Sequence, residues 1–288
     1  MRHLKSFHVF HVAAQSSSYS EAAQQLNITH GAVSKQIKVL EAYLNQTLFV
    51  KHGRNVCLTK EGELLKAYTE QAFHALETGV AKLAQQKQNC LEVSCEPTLT
   101  MRWLMPRLAT FNDAFSADVR LSTAGGSVTL GSSGLSMAIR RDDFEVEHNY
   151  LQTPLVEEWV GPVVSPEYWQ QIKQDFSAVK LLHSQTRPKA WSLWGKASGL
   201  GNLLSHEQQS FAHFYFALQA SVDGLGATIG SYPLVVDDLE RGNLIAPFGF
   251  VQSGHRYMVL TEPSSVSSLE SNFIEWLAEQ MKNCIPKQ

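Results

Sequence analysis

The residues best placed to do chemistry are His30, Gly31, Ser34, Lys35 and Lys38, which share one outward face at helical spacing within residues 20–44, SEAAQQLNITHGAVSKQIKVLEAYL. Their chemistry is recognition rather than bond breaking. Ammonium, hydroxyl and imidazole groups on such a face can reach a groove of DNA, where charge supplies affinity and base edges supply sequence choice. The same pattern also fits an ordinary helical hairpin with a solvated polar face. Other reactive sets are poorer. His8 and His11 share a helical face near His3, but no Asp, Glu or Cys nearby completes a metal-ligand set. Cys57, Cys90, Cys95 and Cys284 form no CxxC pair and read as buried free thiols, and nothing beside Cys90 and Cys95 in sequence favours a thiolate. Gly224, Gly226 and Gly230 do not fit GxGxxG and read as turn glycines. No GxSxG elbow, Walker loop or HExxH supports the alternative of a hydrolase with a Ser/His/Asp set. No catalytic residue, metal or cofactor is therefore expected.

The elements that position the recognition face follow from apolar spacing. Ala22, Ala23 and Leu26 form the inner side of one short helix, and Val33, Ile37 and Leu40 that of the next, with a polar turn at Asn27, Ile28 and Thr29 between them. Ser20 is the expected cap of the first helix and Thr29 of the second. An earlier helix over residues 2–14 offers Leu4, Phe7, Val9, Phe10 and Val12 for burial beneath the pair. After it, Leu48-Phe49-Val50 and Val56-Cys57-Leu58 flank the turn-prone HGRN, a two-stranded wing whose Lys51, His52 and Arg54 face the phosphate backbone or a minor groove. Residues 59–86 read as one long helix, with Leu65, Ala72, Leu76 and Leu83 at near-heptad spacing and Tyr68, Phe73 and Val80 alongside. That much apolar surface calls for a partner, most simply the same helix of a second subunit; the alternative is packing on its own domain.

Charge divides the same way. Residues 1–88 hold ten Lys/Arg against six Asp/Glu, leaving 14 against 21 in the remainder, so a basic module is attached to an acidic body. A chain of 288 residues, 44% hydrophobic, is long enough for two or three domains. No apolar run approaches a membrane span, and the opening MRHLKSFHVFHVAAQ lacks a signal-peptide pattern, which makes the cytoplasm the default location.

From Leu91 onward, short apolar strands alternate with helices, which predicts an α/β body with largely parallel sheets. Residues 91–95 are the first strand. Thr98 or Thr100 then begins a helix whose free N–H groups attract anions and small polar ligands. Residues 119–122 and 135–139 are further strands, followed by Arg140 and Arg141, candidates for an anionic effector or else surface arginines. Trp191 and Trp194 belong to a second core, residues 202–204 to a strand, and residues 210–230 to a helix, a turn and a strand. Residues 233–242 form a short helix and turn, 257–260 a return strand, and 268–282 a closing amphipathic helix that packs on the first half of the body.

Taken together, Phe7 to Val12, Ala22-Ala23, Ala32-Val33-Ser34, Ile37, Leu40-Glu41, Leu48-Phe49 and Leu58-Thr59 followed by Gly62 resemble the DNA-binding end of LysR-type transcriptional regulators. The segment RWLMPRL, residues 102–108, resembles the glycine-cleavage activator and beta-lactamase regulator branch. The resemblance extends over almost the whole chain. It implies a multidomain protein: an N-terminal all-α winged helix-turn-helix (1–58), a long linker and dimerisation helix (59–88), and a C-terminal α/β two-lobed, periplasmic-binding-protein-like effector domain. The lobes are expected at 89–161 with 265–288 and at 162–264. Implied partners are double-stranded DNA, a small-molecule effector, and further copies in a dimer or tetramer, with no membrane. Thr98, Thr100, Arg140, Ser221 and Asp223 are the expected cleft contacts, the last two because the family places that turn at the mouth between the lobes. Several residues depart from the pattern. Asn45 replaces a usual glycine, Lys51 a usual arginine, Ser136 a usual acidic residue, and His30-Gly31 a common Gln followed by Ser or Pro, so the operator sequence does not carry over. A regulator of the same fold that has lost its metabolite and acts constitutively or through a protein partner is the remaining alternative.

Overall fold

The computed structural model describes residues 3–52, 55–131, 133–146, 150–175, 178–200, 207–263 and 266–286, with 51, 52, 55, 81, 82 and 84–88 described by backbone alone. The chain divides into two compact units, Met1–Ala81 and Lys82–Gln288.

The first unit opens with α1 (Leu4–Gln15), α2 (Tyr19–Gln25) and α3 (His30–Leu44). Their core joins Val9, Phe10 and Ala13 to Ala22, Ala23, Val33, Ile37, Leu40 and Leu48. Ala22 is fully buried, so two helices cross where only a methyl intervenes. Leu4, expected to be buried, is 51% exposed on the first turn. The cap of α2 is Ser18 rather than Ser20. The Ser18 hydroxyl accepts from the Glu21 backbone N–H, while the Glu21 carboxylate accepts from both the N–H and the hydroxyl of Ser17. Thr29 caps α3 as expected, accepting from the Ala32 N–H at 3.2 Å. At the other end of α3, Asn45 takes a left-handed conformation (φ 52°, ψ 39°). A glycine does this without strain, and asparagine is the usual substitute.

Strands β1 (Phe49–His52) and β2 (Asn55–Leu58) pair antiparallel as the wing. Two motif residues tie it down. Glu41 accepts from the Leu48 and Phe49 N–H groups at 2.8 and 3.3 Å, and Thr59 donates to the Thr47 carbonyl while accepting from the Gly62 N–H. Gly62 is required by close approach, because a Cβ there would lie 2.3 Å from the Leu48 carbonyl oxygen. Helix α4 (Lys60–Gln88) follows. Leu65 packs on the domain core and Phe73 on the His8 and His11 rings, at 5.1 and 4.9 Å. The exposed apolar stripe is instead Leu64, Tyr68, Leu76, Val80 and Leu83.

The second unit is built from β3 (Cys90–Cys95), α5 (Pro97–Leu99), a π-helical turn (Thr100–Leu104), α6 (Met105–Phe115), β4 (Asp118–Thr123), β5 (Met137–Arg141) and β6 (Leu151–Val163). It continues through α7 (Pro166–Ile172), β7 (Leu181–Ser184), α8 (Ala190–Ser198), β8 (Gln208–Phe211), α9 (Phe214–Val222), β9 (Ala227–Ser231), α10 (Tyr232–Arg241), β10 (Val251–Thr261) and α11 (Ser268–Met281). The strand order is β4-β3-β5-β10-β6-β9-β7-β8. Parallel sets at either end, β4-β3-β5 and β9-β7-β8, flank antiparallel pairings of β10 with β5 and β6, and of β6 with β9. The sheet is therefore mixed, not largely parallel. The two long crossing strands run in opposite directions, and β10 begins at Val251, well before the expected Tyr257, because its first half pairs with β6.

Two large core clusters fill this unit, and the first also takes in Phe214, Leu218 and Leu234 from α9 and α10. In the first, Phe111 packs edge-on against Phe273 of α11 at 4.8 Å, and the Trp103 indole N–H meets Cys284 Sγ at 3.1 Å. In the second, Trp191 and Trp194 sit perpendicular at 6.0 Å among Val160, Ile172, Leu181 and Ile229. Ser210 and Phe211, expected in a helix, end β8, which pairs with β7. The strand expected at 202–204 lies outside the described residues.

Candidate DNA-reading surface and effector cleft

The start and outward face of α3 leave Thr29, His30, Gly31, Lys35 and Lys38 exposed, with Ser34 half-buried and Ser20 exposed on α2. The burial of Val33, Ile37 and Leu40 fixes that face, since residues one and two positions away along the helix must point outward. Lys51 and His52 lie on β1 with only their backbone described, and Gly53 and Arg54 lie outside the described residues.

In the second unit, two pairs of parallel strands, β3 with β4 and β7 with β8, deliver their carboxyl ends to one cavity of about 450 Å³. β3 supplies Glu96, Pro97 and Thr98; β4 supplies Gly125 and Gly126; β7 supplies Thr186 and Arg187; β8 supplies His213, Phe214 and Tyr215. A crevice beyond the carboxyl ends of such strands is the standard ligand position in open α/β sheets.

Beneath this cavity lies a buried charge cluster. Glu158 of β6, fully buried, accepts from Arg141 Nε and Arg187 Nη1 at 2.7 Å each, and from Ser253 Oγ of β10 at 2.7 Å. Burial alone pushes the Glu158 carboxyl up, but Arg187 and Arg141 outweigh it and hold the group at about 2. Arg187 stacks over the Phe214 ring at 4.5 Å, donates to Tyr257 at 3.2 Å, and approaches Glu96 at 3.7 Å. Burial lowers its pKa, and Tyr257, Glu158 and Glu96 raise it further still, so it stays charged. Glu96 also accepts from the Arg141 backbone N–H at 2.9 Å, and Asp143 pairs with Arg141 at 2.6 Å.

Of the five residues expected in the cleft, Thr98 lines it. Thr100 is buried and donates to the Glu96 carbonyl. Arg140 is fully buried and donates to Ser94, the Ile139 carbonyl and the Gly126 carbonyl, which makes it a brace behind the Gly126 wall; burial lowers its pKa. Ser221 is fully buried and donates to the Val163 carbonyl. Asp223 accepts from Gln219 at the carboxyl end of α9, whereas the amino end of that helix meets the cavity. Sequence reasoning missed Glu96, Glu158, Arg187 and the His213–Tyr215 corner. The available signal was position, since most of them immediately follow a strand.

The other candidate sites resolve as follows. Among the described residues, no cluster of three or more His, Cys, Asp or Glu could hold a metal ion. Cys90 and Cys95 lie five residues apart on β3, about 17 Å at the usual strand rise and too far for a disulfide. Burial pushes the Cys95 thiol up to about 12. Cys57, read from sequence as buried, is exposed on the wing. Gly224 makes a positive-φ turn, whereas Gly226 and Gly230 are close-approach positions against Lys180 and Val163.

A winged helix-turn-helix with a cationic outward face, joined to a two-lobed α/β unit with a polar cleft, defines a DNA-binding regulator with a sensor-type body. Residues 4–63 match the bacterial regulatory helix-turn-helix protein model of the lysR family, and residues 84–282 match the LysR substrate binding domain. The chain belongs to the LysR family of transcriptional regulators. It is 35% identical over 286 residues to the HTH-type transcriptional regulator TrpI of Pseudomonas aeruginosa, covering 96% of this chain and 97% of that protein. Over 298 residues it is 29% identical to the glycine cleavage system transcriptional activator of Escherichia coli, covering 97% and 95% respectively. The effector domain of the regulator AmpR of Pseudomonas aeruginosa, 27% identical, superposes with a TM-score of 0.55 over 67% of this chain and 95% of that structure. These relatives are described as regulators rather than enzymes, which sets the hydrolase alternative aside.

Proposed function

We propose that the protein reads duplex DNA in the cytoplasm through Thr29, His30, Gly31, Ser34, Lys35 and Lys38, supported by Ser20 and by Lys51, His52 and Arg54 of the wing, and reports the occupancy of the cleft at Thr98. The effector is a small zwitterion of amino-acid type. The observation that carries this reading is the convergence of four strand ends on one cavity that presents both Arg187 and the carboxylates of Glu96 and Asp143. A molecule with one group of each sign finds partners there, and a purely apolar molecule does not. The lobes exchange chain within β6 and β10, so ligand binding acts on the crossing strands. The stripe Leu64, Tyr68, Leu76, Val80 and Leu83 on α4 supports pairing with a second copy; two such dimers on a partly palindromic site, with half-sites about one helical turn apart, give the tetrameric form.

Two measurements test the reading. Operator binding by the wild-type chain weakens steeply with salt, and Lys35→Ala lowers affinity and reduces the salt slope by about one; an unchanged slope removes Lys35 from the contact set. A thermal-shift screen against amino acids is expected to give at least one stabilising compound. That shift is lost in Gly125→Trp, a position where an added Cβ meets nothing within 4 Å and the indole fills the cleft. Stabilisation by simple organic acids alone replaces the zwitterion with an anion.

A further inference from the structure

A second cavity, of about 230 Å³, adjoins the cleft on the far side of Arg187 and belongs to different elements: the start and one face of α8, the wall of β6 and β9, and the first half of β10. Its walls divide sharply by polarity. Val160, Ala190, Leu193, Trp194, Ala197 and Ile229 make an apolar pouch, and Arg141, Arg187 and Lys189 stand at its polar side with Asp143 as the sole acidic lining residue. Lys189 has no ion pair or hydrogen bond through its ammonium group among the described residues and sits as the uncapped N-cap of α8, so its charge adds to the positive end of that helix. Trp194 is 1% exposed, and its indole N–H has no acceptor among the described residues, an unusual condition for a buried donor. Arg141 and Arg187 already share Glu158, and Asp143 is paired with Arg141, which leaves Lys189 as the lining lysine or arginine with no counter-ion among the described residues.

We propose that this chamber is a second small-molecule site, distinct from the cleft, for a compact apolar carboxylate. The hydrocarbon body fills the pouch and the carboxylate lies toward Lys189 and the start of α8. A cation of the same shape meets the unpaired Lys189 ammonium and the positive end of α8, and is rejected. Thr186, Arg187 and Asp143 line both cavities, so a ligand in the chamber contacts part of the wall of the cleft. Binding at one site therefore changes affinity at the other if it shifts any of the three, and that coupling is reciprocal. The chamber reading stands without the zwitterion assignment for the cleft.

Cyclohexanecarboxylate is the probe, with cyclohexylmethylamine as its shape-matched cation, titrated into the full chain by calorimetry and by ligand-observed NMR. The acid is expected to bind the wild type, and the amine at least about tenfold more weakly. Ala197→Trp fills the pouch from an exposed helix face and weakens the acid by about tenfold or more, with Leu193→Trp on the same face as its replacement if that variant does not fold. Lys189→Gln weakens it by roughly three- to tenfold, and Trp194→Phe, which keeps a phenyl ring but deletes the pyrrole ring with its N–H, by a similar factor. Gly125→Trp, which blocks only the cleft, leaves acid binding within about twofold. No binding to the wild type, equal binding of the amine, or indifference to Ala197→Trp or Leu193→Trp overturns the proposal. Loss of acid binding in Gly125→Trp also overturns it, by moving the acid into the cleft.

Discussion

Replacing Glu158 with glutamine tests whether charge clamps the crossing strands. The carboxylate is fully buried and accepts from Arg141, Arg187 and Ser253 at 2.7 Å each. Glutamine keeps the shape, loses the charge, and leaves two buried guanidiniums without their main counter-ion. Breaking a buried ion pair from one side costs about 3–5 kcal/mol. A second route gives a compatible figure: the interval between the ordinary value of 4.5 and the folded value of about 2, at about 1.4 kcal/mol per pH unit, is worth about 3 kcal/mol. Because the folded pKa is depressed, this stability is present above about pH 4.5 and is lost as pH falls toward about 2. All six tryptophans of the chain lie beyond residue 100, so tryptophan fluorescence follows unfolding of the second unit alone. At neutral pH the variant is expected to melt roughly 6–12 °C below the wild type. The gap narrows as pH drops from 5 to 3, because the unfolded wild-type carboxyl takes up a proton there while the folded one stays ionised until about 2. A gap under about 1 kcal/mol at pH 7, or one that stays constant across that acid range, refutes the clamp.

Three further outcomes are expected. Gly62→Ala places a methyl 2.3 Å from the Leu48 carbonyl oxygen and destabilises the DNA-reading unit by about 1–3 kcal/mol, measured by urea unfolding followed through helical circular dichroism. In the same assay Asn45→Gly relieves the left-handed cap of α3 and stabilises by up to about 1 kcal/mol, whereas Asn45→Ala destabilises by about 1 kcal/mol. Thr29→Ala removes the hydroxyl that accepts from the Ala32 N–H and costs about 1 kcal/mol of unit stability, and operator affinity falls with it when titrated near the melting temperature.

Helix α3 was legible because everything that sets it is local. Val33, Ile37 and Leu40 fix its buried side by periodicity alone, and Thr29 caps it from one residue away. The cleft was not, because its residues meet through partners far along the chain. Arg140 and Arg141 are neighbours, so the strand sends them to opposite faces, and only the register against Met258 and Tyr257 decides which one meets Glu158. Ser221 and Asp223 were expected at the mouth, but α9 runs away from it, and its nine residues place Asp223 about 13 Å from the end that lines the cavity. Glu158 carried an overlooked signal as the second of two adjacent acidic residues between Val156 and Trp159, since the alternation of a strand sends one of such a pair inward. Its consequence rests on Arg187, which arrives from the loop after β7.

That arrival explains how a cleft ligand can act on the crossing strands. Arg187 touches the cleft, the charge cluster and the second cavity at once. Its contacts differ in strength. The bond to Glu158 is short and buried, and the approach to Glu96 is 3.7 Å and partly exposed. A ligand that engages either Glu96 or Arg187 competes with the weaker contact first, because that exchange costs little. Glu96 and Arg187 belong to different lobes, so their separation differs between any two hinge geometries. A ligand that bridges them gains affinity in one geometry and loses it in the other, and only that difference can move the equilibrium. Full switching from one percent to ninety-nine percent needs a difference of about 5.5 kcal/mol, comparable with two charge-assisted hydrogen bonds made in one state only. The Glu158 clamp, by contrast, ties Arg141 of β5, Arg187 and Ser253 of β10 to β6 through short buried bonds, so the weaker Glu96 contact is the one a ligand exchanges at least cost.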